Sequence, residues 1–216
     1  MSPETKNKLK LTFLLLITAL PVSLATMSFK SAIENGDIAA TSNKGHLIIP
    51  PADISALDMR DREGNPAFLT FEEELATLSD SEEYEIKPWL LVFVTAKECE
   101  VACMERVHYL QQLHIALGKN IQRVRRYYIN ASGEAFDTQT ATVFRDEYPS
   151  MGITYSDAAV LERNLREAGA ELTLDDQDYV ILIDPVGNVM MYYTDEHSAE
   201  DIMTDLETLL KYSSLG

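Results

Sequence analysis

The stretch WLLVFVTAKECEVACM, Trp89 to Met104, decides how the chain is read. Trp89 to Val94 is a continuous apolar run, the pattern of a central strand buried on both faces. Thr95 to Cys99 reads as a loop. From about Val101 to Gly118 a helix is expected, because Cys103, Val107, Leu110, Leu113 and Leu117 recur three or four residues apart and Gly118 supplies the stop. Cys99 and Cys103, the two cysteines of the chain, therefore stand four apart where a buried strand meets a helix.

Outward from this centre, Val124 to Ile129 reads as a second strand, the Asn130 to Gln139 stretch as a loop, and Asp157 to Ala168 as a helix ended by Gly169. Tyr179 to Ile183 is another buried strand. Asp184 to Asn188 turns the chain, and Val189 to Tyr193 returns it as a hairpin. Ser198 caps a last helix with Ile202, Leu206, Leu209 and Leu210 on its inner face. The order strand, helix, strand, helix, hairpin, helix defines an α/β domain. Upstream, residues 30–51 form a small, polar linker with a short extended piece at His46 to Ile49 and a helix-excluding Pro50-Pro51 pair. Asp61 to Pro66 reads as a turn. Glu72 to Glu85 carries seven acids, with Phe71, Leu75 and Leu78 at helical spacing, and reads as a short acidic helix or loop.

Lys6, Lys8 and Lys10 precede Leu11 to Phe29, which contains no charged residue. That length suffices for a helix to span about 30 Å of hydrocarbon. The lysines would keep the N-terminus cytoplasmic and export the rest of the chain. The alternative is a cleaved signal peptide, with Leu11 to Leu20 as its apolar region and Ser23-Leu24-Ala25 as the cleavage site. Either reading gives an N-terminal anchor or signal over 1–29, a linker over 30–51 and a domain over 52–216, delivered to an oxidising compartment.

The 216 residues carry 35 acidic and 18 basic side chains, a formal charge of −17. Phosphate contacts need a basic surface, so nucleic acid is excluded as a partner. From Glu167 to Leu210 twelve acids meet no lysine or arginine. An acidic face of this kind suits a basic partner or a cuprous ion, or simply confers solubility.

Two cysteines cannot staple a mini-fold or complete a four-ligand zinc site. Placed at a helix start, they suit different chemistry. Unpaired helix N–H groups favour a thiolate, and one helical turn lets both sulfurs reach each other or one ion. Soft thiolates select Cu(I). Glu98, Glu100 and Glu105 oppose thiolate formation, with Lys97 and Arg106 as partial compensation. A redox pair, a Cu(I) site and a plain structural disulfide all remain open on spacing alone.

These residues carry a resemblance. Trp89 to Thr95, Cys99-x-x-x-Cys103, a helix, then Tyr179 to Asn188, a hairpin strand and a C-terminal helix are similar to the Sco/SenC group of thioredoxin-fold proteins. The Gly45 to Pro51 segment, Leu110 to Lys119, the N-terminal anchor and the Leu210-Lys-Tyr-Ser tail resemble a membrane-anchored, Sco-like branch found in proteobacteria. The resemblance implies a thioredoxin-like domain behind one transmembrane helix. It implies a single-pass protein of the bacterial inner membrane with its domain in the periplasm, assisting cytochrome c oxidase assembly. Its partner would be an oxidase subunit or another assembly factor. Cys99 and Cys103 would form the redox pair and the copper ligands.

One departure matters. The family completes its copper site with a histidine before the strand that ends Ile-Asp-Pro; here Asp175, Asp176, Gln177 and Asp178 occupy that place, read as a solvated turn. No proline precedes Tyr179, as thioredoxin-type reductases would require. A third ligand is then absent or supplied by His197, after the hairpin. His108, about 140° around the helix from Cys103, faces away; His114 falls on the apolar stripe and His46 in the linker. The alternatives are a Sco-like scaffold that only binds a partner and a general periplasmic thiol–disulfide oxidoreductase. Lys119, Arg123, Arg125 and Arg126 read as a solvated strand edge, and Asn130-Ala131-Ser132 matches a glycosylation pattern.

Overall fold

The computed structural model of the chain describes residues 3–34, 43–78 and 86–213. It separates into two compact units, Met1–Ser42 and Asn43–Gly216. The linker residues 35–42 and the acids of 79–85 lie outside the described residues.

The first unit holds one helix, α1 (Pro3–Glu34), with Pro21 inside it. Phe13, Leu14, Ile17, Leu20, Val22 and Leu24 are exposed on it. Thr18 and Thr26 donate their hydroxyls to the carbonyls of Leu14 and Val22, so both are satisfied within the helix. The side chains at 11, 12, 15 and 29 lie outside the described residues. Among the described residues no helix is long and apolar enough to cross a membrane.

The second unit is built on β2 (Trp89–Thr95), whose seven residues are all buried. Parallel to it runs β3 (Val124–Asn130), with Trp89 opposite Val124 and Thr95 opposite Asn130; antiparallel on its other edge runs β5 (Tyr179–Ile183). The sheet continues through β6 (Asn188–Tyr193) to β1 (His46–Asp53) on one side and to β4 (Met151–Tyr155) on the other, giving the order β1-β6-β5-β2-β3-β4. Alternate residues of β2 feed two cores. Trp89, Leu91 and Phe93 pack with the buried faces of α3 (Val101–Ala116) and α6 (Ala199–Tyr212). Leu90, Val92 and Val94 pack with Leu161 and Leu165 of α5 (Ala158–Glu167) and Ile48 of β1.

The expected strands, hairpin and helices around 89–129 and 157–210 are present, and Ser198 caps α6 in a capping box with Asp201. Within the acidic stretch, α2 (Phe71–Thr77) is a short helix with a Thr70–Glu73 capping box. Three features differ from expectation. The extended piece at His46 is a full edge strand that takes residues 46–51 of the expected linker into the sheet, bulging between Leu47 and Ala52 where the prolines cannot donate to the ladder. The Asn130 to Gln139 loop ends earlier than expected, in α4 (Thr138–Glu147), capped by Asp137. β4 comes next, parallel to β3.

A buried carboxylate ties the start of β1 to α6. Asp205, 4% exposed, accepts the N–H groups of Lys44 and Gly45 at 2.8–2.9 Å and the hydroxyl of Tyr193 at 3.2 Å. Gly45 is required there, since a Cβ would lie 2.5 Å from the Tyr193 ring. Asp205→Ala strands two amides and one hydroxyl and is expected to cost about 3 kcal/mol in urea denaturation, against about 1 kcal/mol for Tyr193→Phe. Equal costs would contradict the clamp.

Burial raises the Tyr128 and Tyr193 hydroxyls above the ordinary tyrosine range, with Asp178 and Asp205 respectively reinforcing it. Each group keeps its proton in the folded state where an unfolded tyrosine loses it. Their contribution to stability is therefore whole below about pH 10 and declines as pH rises beyond it. Tyrosinate absorbance should rise in two phases, the later one coinciding with unfolding. A single phase complete before unfolding would overturn this assignment.

Candidate functional site

The chain leaves the sheet at Thr95, whose carbonyl accepts the N–H of Ala131 at 2.8 Å and whose hydroxyl oxygen accepts the N–H of Lys97 at 3.0 Å. This folds Ala96 to Glu100 over the end of the sheet. Glu100 is the N-cap of α3, and no side chain caps that first turn. The amide end of the helix, without a side-chain cap, therefore adjoins Cys99, an arrangement that favours a thiolate when the sulfur is reduced.

Cys99 and Cys103 are joined as a disulfide, with their Cα atoms 5.1 Å apart. The two sulfurs are not equivalent. Cys103 is 5% exposed and belongs to the buried stripe of α3 with Val107, Leu110 and Leu113. Tyr128 of β3 holds its hydroxyl 3.7 Å from Cys103 Sγ; the disulfide sulfur carries no hydrogen, so Tyr128 is the donor. Cys99 is half-buried and lines two grooves. One, of about 670 Å³, runs over Val101, Met104, His108 and Val143; the other runs past Asn130, Ser132 and Phe136. Cys103 lines neither. Met104 Sδ stands 3.6 Å from Cys99 Sγ, a sulfur–sulfur contact with no hydrogen to share.

Acids rim the sulfur: Glu98, Glu100 and Glu105 face these grooves as expected, and Asp137 joins them. Lys97 lines the second groove too, while its Nζ donates to the carbonyl of Asp176 at 2.9 Å. Thr140 and the first-turn amides of α4 hold the Asp137 carboxyl below the usual carboxylate range. It keeps its negative charge beside Cys99 well into mild acid.

Of the other expected site residues, His197 is committed to the fold. Its Nδ1 accepts the N–H of Thr194 at 3.0 Å, so Nε2 bears the proton and donates to the Lys44 carbonyl at 3.1 Å. It has no nitrogen to offer a metal, which corrects its reading as a third ligand. His46 is not in a linker but opens β1, its ring 5.1 Å from that of His197. His114 Nε2 lies 3.0 and 2.8 Å from the carbonyls of Ile121 and Val124, a satisfied structural histidine. His108 does share the groove of Cys99, four residues beyond Met104 on the same helix face. Among the described residues no group of three or more His, Cys, Asp or Glu is placed to hold a metal ion.

Two further readings change. The basic cluster is only in part a solvated edge: Lys119 and Arg125 are exposed, but Arg126 is 2% exposed and donates to Ser150 Oγ at 2.7 Å, while Arg123 donates to the carbonyls of Leu210 and Ser213 at the end of α6. Asn130 is 4% exposed, and its amide nitrogen donates to the Glu134 carbonyl, which removes it as a glycan acceptor. The expected solvated turn does not hold at Asp178 either. Its Oδ1 is buried without a hydrogen-bond partner, and its charge acts on Tyr128.

A parallel β2-β3-β4 half, an antiparallel hairpin half and a cysteine pair between β2 and α3 define a thioredoxin-like domain. A family model described as "transmembrane-like, thioredoxin-like, C-terminal domain" matches residues 89–213, more than half of the chain, and the chain belongs to that family. No curated protein sequence matches it. Its neighbours among solved structures include Sco proteins. BsSco, described as a member of the Sco family of cytochrome c oxidase assembly proteins, is 16% identical over 81% of this chain and 99% of its own, with a TM-score of 0.49. Yeast Sco1 is 12% identical over 72% and 92%, with a TM-score of 0.49. Copper-bound ScoI of Bradyrhizobium japonicum is 15% identical over 69% and 94%, with a TM-score of 0.41.

Unequal exposure gives unequal reactivity. After reduction of the full chain, Cys99 should be alkylated by iodoacetamide about ten-fold faster than Cys103, read by peptide mass spectrometry. Equal rates would contradict the geometry.

Proposed function

We propose that the chain is a membrane-anchored, thioredoxin-like assembly factor for cytochrome c oxidase, working outside the cytoplasm by thiol–disulfide exchange and transient Cu(I) binding at Cys99 and Cys103. The observation that carries this reading is the asymmetry of the pair. One sulfur lines open grooves at an uncapped helix start, and its partner is buried directly behind it. A structural disulfide needs no such asymmetry, whereas exchange needs it. A client thiolate attacks Cys99 Sγ, the Cys99–Cys103 bond breaks, and the electron pair leaves on Cys103, with the Tyr128 hydroxyl placed to stabilise the departing sulfur. A second client thiol then displaces Cys99, so the client is oxidised to a disulfide and the protein reduced to a dithiol. The reverse sequence reduces a client disulfide.

The uncharged run Leu11 to Phe29 within α1, preceded by lysines, supports the anchor and the orientation. The client assignment rests on the sequence resemblance to the Sco/SenC group. The donor set also suits the metal, since two thiolates released by reduction are soft ligands that favour Cu(I).

The double variant Cys99→Ser, Cys103→Ser is expected to abolish the chain's contribution to oxidase maturation, measured as haem and copper content of the purified oxidase. Cys103→Ala alone should accumulate a mixed disulfide through Cys99 that Cys99→Ala does not form. Normal oxidase in the double variant would overturn the cysteine mechanism and leave a binding scaffold.

A further inference from the structure

We propose that Met104 is the third ligand of a sulfur-only Cu(I) site, completing the pair Cys99 and Cys103 in their reduced state. This rests on the reading that the pair cycles to the dithiol. The sequence resemblance asks for a histidine before β5, and the structure supplies none. His197 is committed to Thr194 and Lys44, and Asp178 provides a hard carboxylate instead. What the structure places beside Cys99 is a thioether, with Met104 Sδ 3.6 Å from Cys99 Sγ. Two sulfurs that share one soft ion at about 2.3 Å each stand roughly 3.7–4.0 Å apart. The Cys99–Met104 separation is thus already near that of two ligands of one ion, and the two cysteine sulfurs part once their bond is reduced.

Helix geometry explains the placement. Cys103 and Met104 are consecutive in the first turn of α3, so the thiol points into the core while the thioether leans over the rim towards Cys99. Met104 is half-buried, packed against the core that holds Cys103, and lines the groove of Cys99. Its long unbranched side chain can follow the movement that disulfide reduction brings. A thioether carries no charge and no proton, so it adds a ligand without adding to the repulsion among two thiolates and the surrounding Glu98, Glu100 and Glu105. Those acids attract a cation into the groove. Thiolate and thioether together are soft, so the set favours Cu(I) over Cu(II).

The chemistry balances. A dithiol reductant delivers two electrons and two protons to the Cys99–Cys103 disulfide and is itself oxidised to a disulfide. Cu(I) binding then releases the two cysteine protons to solvent, with no further redox change.

The test uses the full chain, reduced with dithiothreitol and freed of it under anaerobic conditions. Cu(I) is titrated in competition with bicinchoninate, and the bound metal is examined by X-ray absorption. The reduced protein is expected to bind one Cu(I) with three sulfur ligands. Met104→Leu, which conserves volume, should weaken binding by about ten-fold or more and leave two sulfur ligands. Its thiol count and disulfide reduction potential should match those of the unsubstituted chain. His108→Ala should bind as the unsubstituted chain does. Unchanged affinity and sulfur number in Met104→Leu would overturn the proposal. So would a loss confined to His108→Ala, which would assign the third ligand to the imidazole. Absence of Cu(I) binding by the reduced protein would also overturn it, while leaving exchange chemistry to be judged by the mixed disulfide at Cys99.

Discussion

Everything at the site depends on one constraint, the register of β2. Its backbone is hydrogen-bonded on both edges, to β3 in parallel and to β5 antiparallel, and its side chains are buried on both faces. A slip by one residue would exchange Trp89, Leu91 and Phe93 with Leu90, Val92 and Val94 between two differently shaped cores. Neither core can accept that, so the residue at which the chain leaves the sheet is fixed as Thr95. Cys99 stands just beyond, after a short loop, and its position is a consequence of strand packing rather than of any contact of its own.

The same logic makes Cys103 serve two ends. It occupies a position of the apolar stripe of α3 and fills the core as a small hydrophobe would. The wall in front of it is aromatic: the Tyr128 ring lies 5.0 Å from Phe144 and 5.3 Å from Phe136, with Phe93 at 5.6 Å on the other side. Phe136 and Phe144 belong to the approach and body of α4. Thr140 of that helix lines both grooves beside Cys99, and Phe144 shares the core that buries Cys103. One buried sulfur and one that lines open grooves therefore arise from one packing arrangement.

Most of this is legible in the sequence wherever burial writes a period. The apolar run of β2, the three- and four-residue spacing of α3, the 179–193 hairpin and the Ser198 cap all carry local signals that agree with tertiary demand. The elements that escape have weak local signals. In α4 only Phe144 is fully buried among ten residues, so no apolar face shows. In β4, Gly152 is present because the Tyr127 ring occupies the space a Cβ would take, a tertiary requirement that looks locally like a turn. Arg126 reads as a surface charge until the strand that carries it proves to be internal. Of the site itself, the cysteine pair is legible and its surroundings are not. Methionine carries no motif, and nothing in the spacing of Met104 distinguishes it from core. Residue type points to the four histidines for a third ligand, whereas proximity is set by the fold.

Asp178 shows how one side chain before β5 bears on the buried sulfur. It stands directly before β5, at the place where the resemblance asks for an imidazole. A carboxylate there brings a hard, anionic oxygen, which suits neither a cuprous ion nor a neighbouring thiolate. Its buried Oδ1 lacks a hydrogen-bond partner, and its charge helps to keep the Tyr128 phenol protonated. That phenol is the donor facing Cys103 Sγ. A carboxylate at this point thus helps to maintain a proton donor for the buried sulfur. In the proposed Cu(I) site the donors are sulfur alone, a set that can bind the reduced ion without stabilising the oxidised one. On that proposal the redox chemistry of the site is confined to its cysteines.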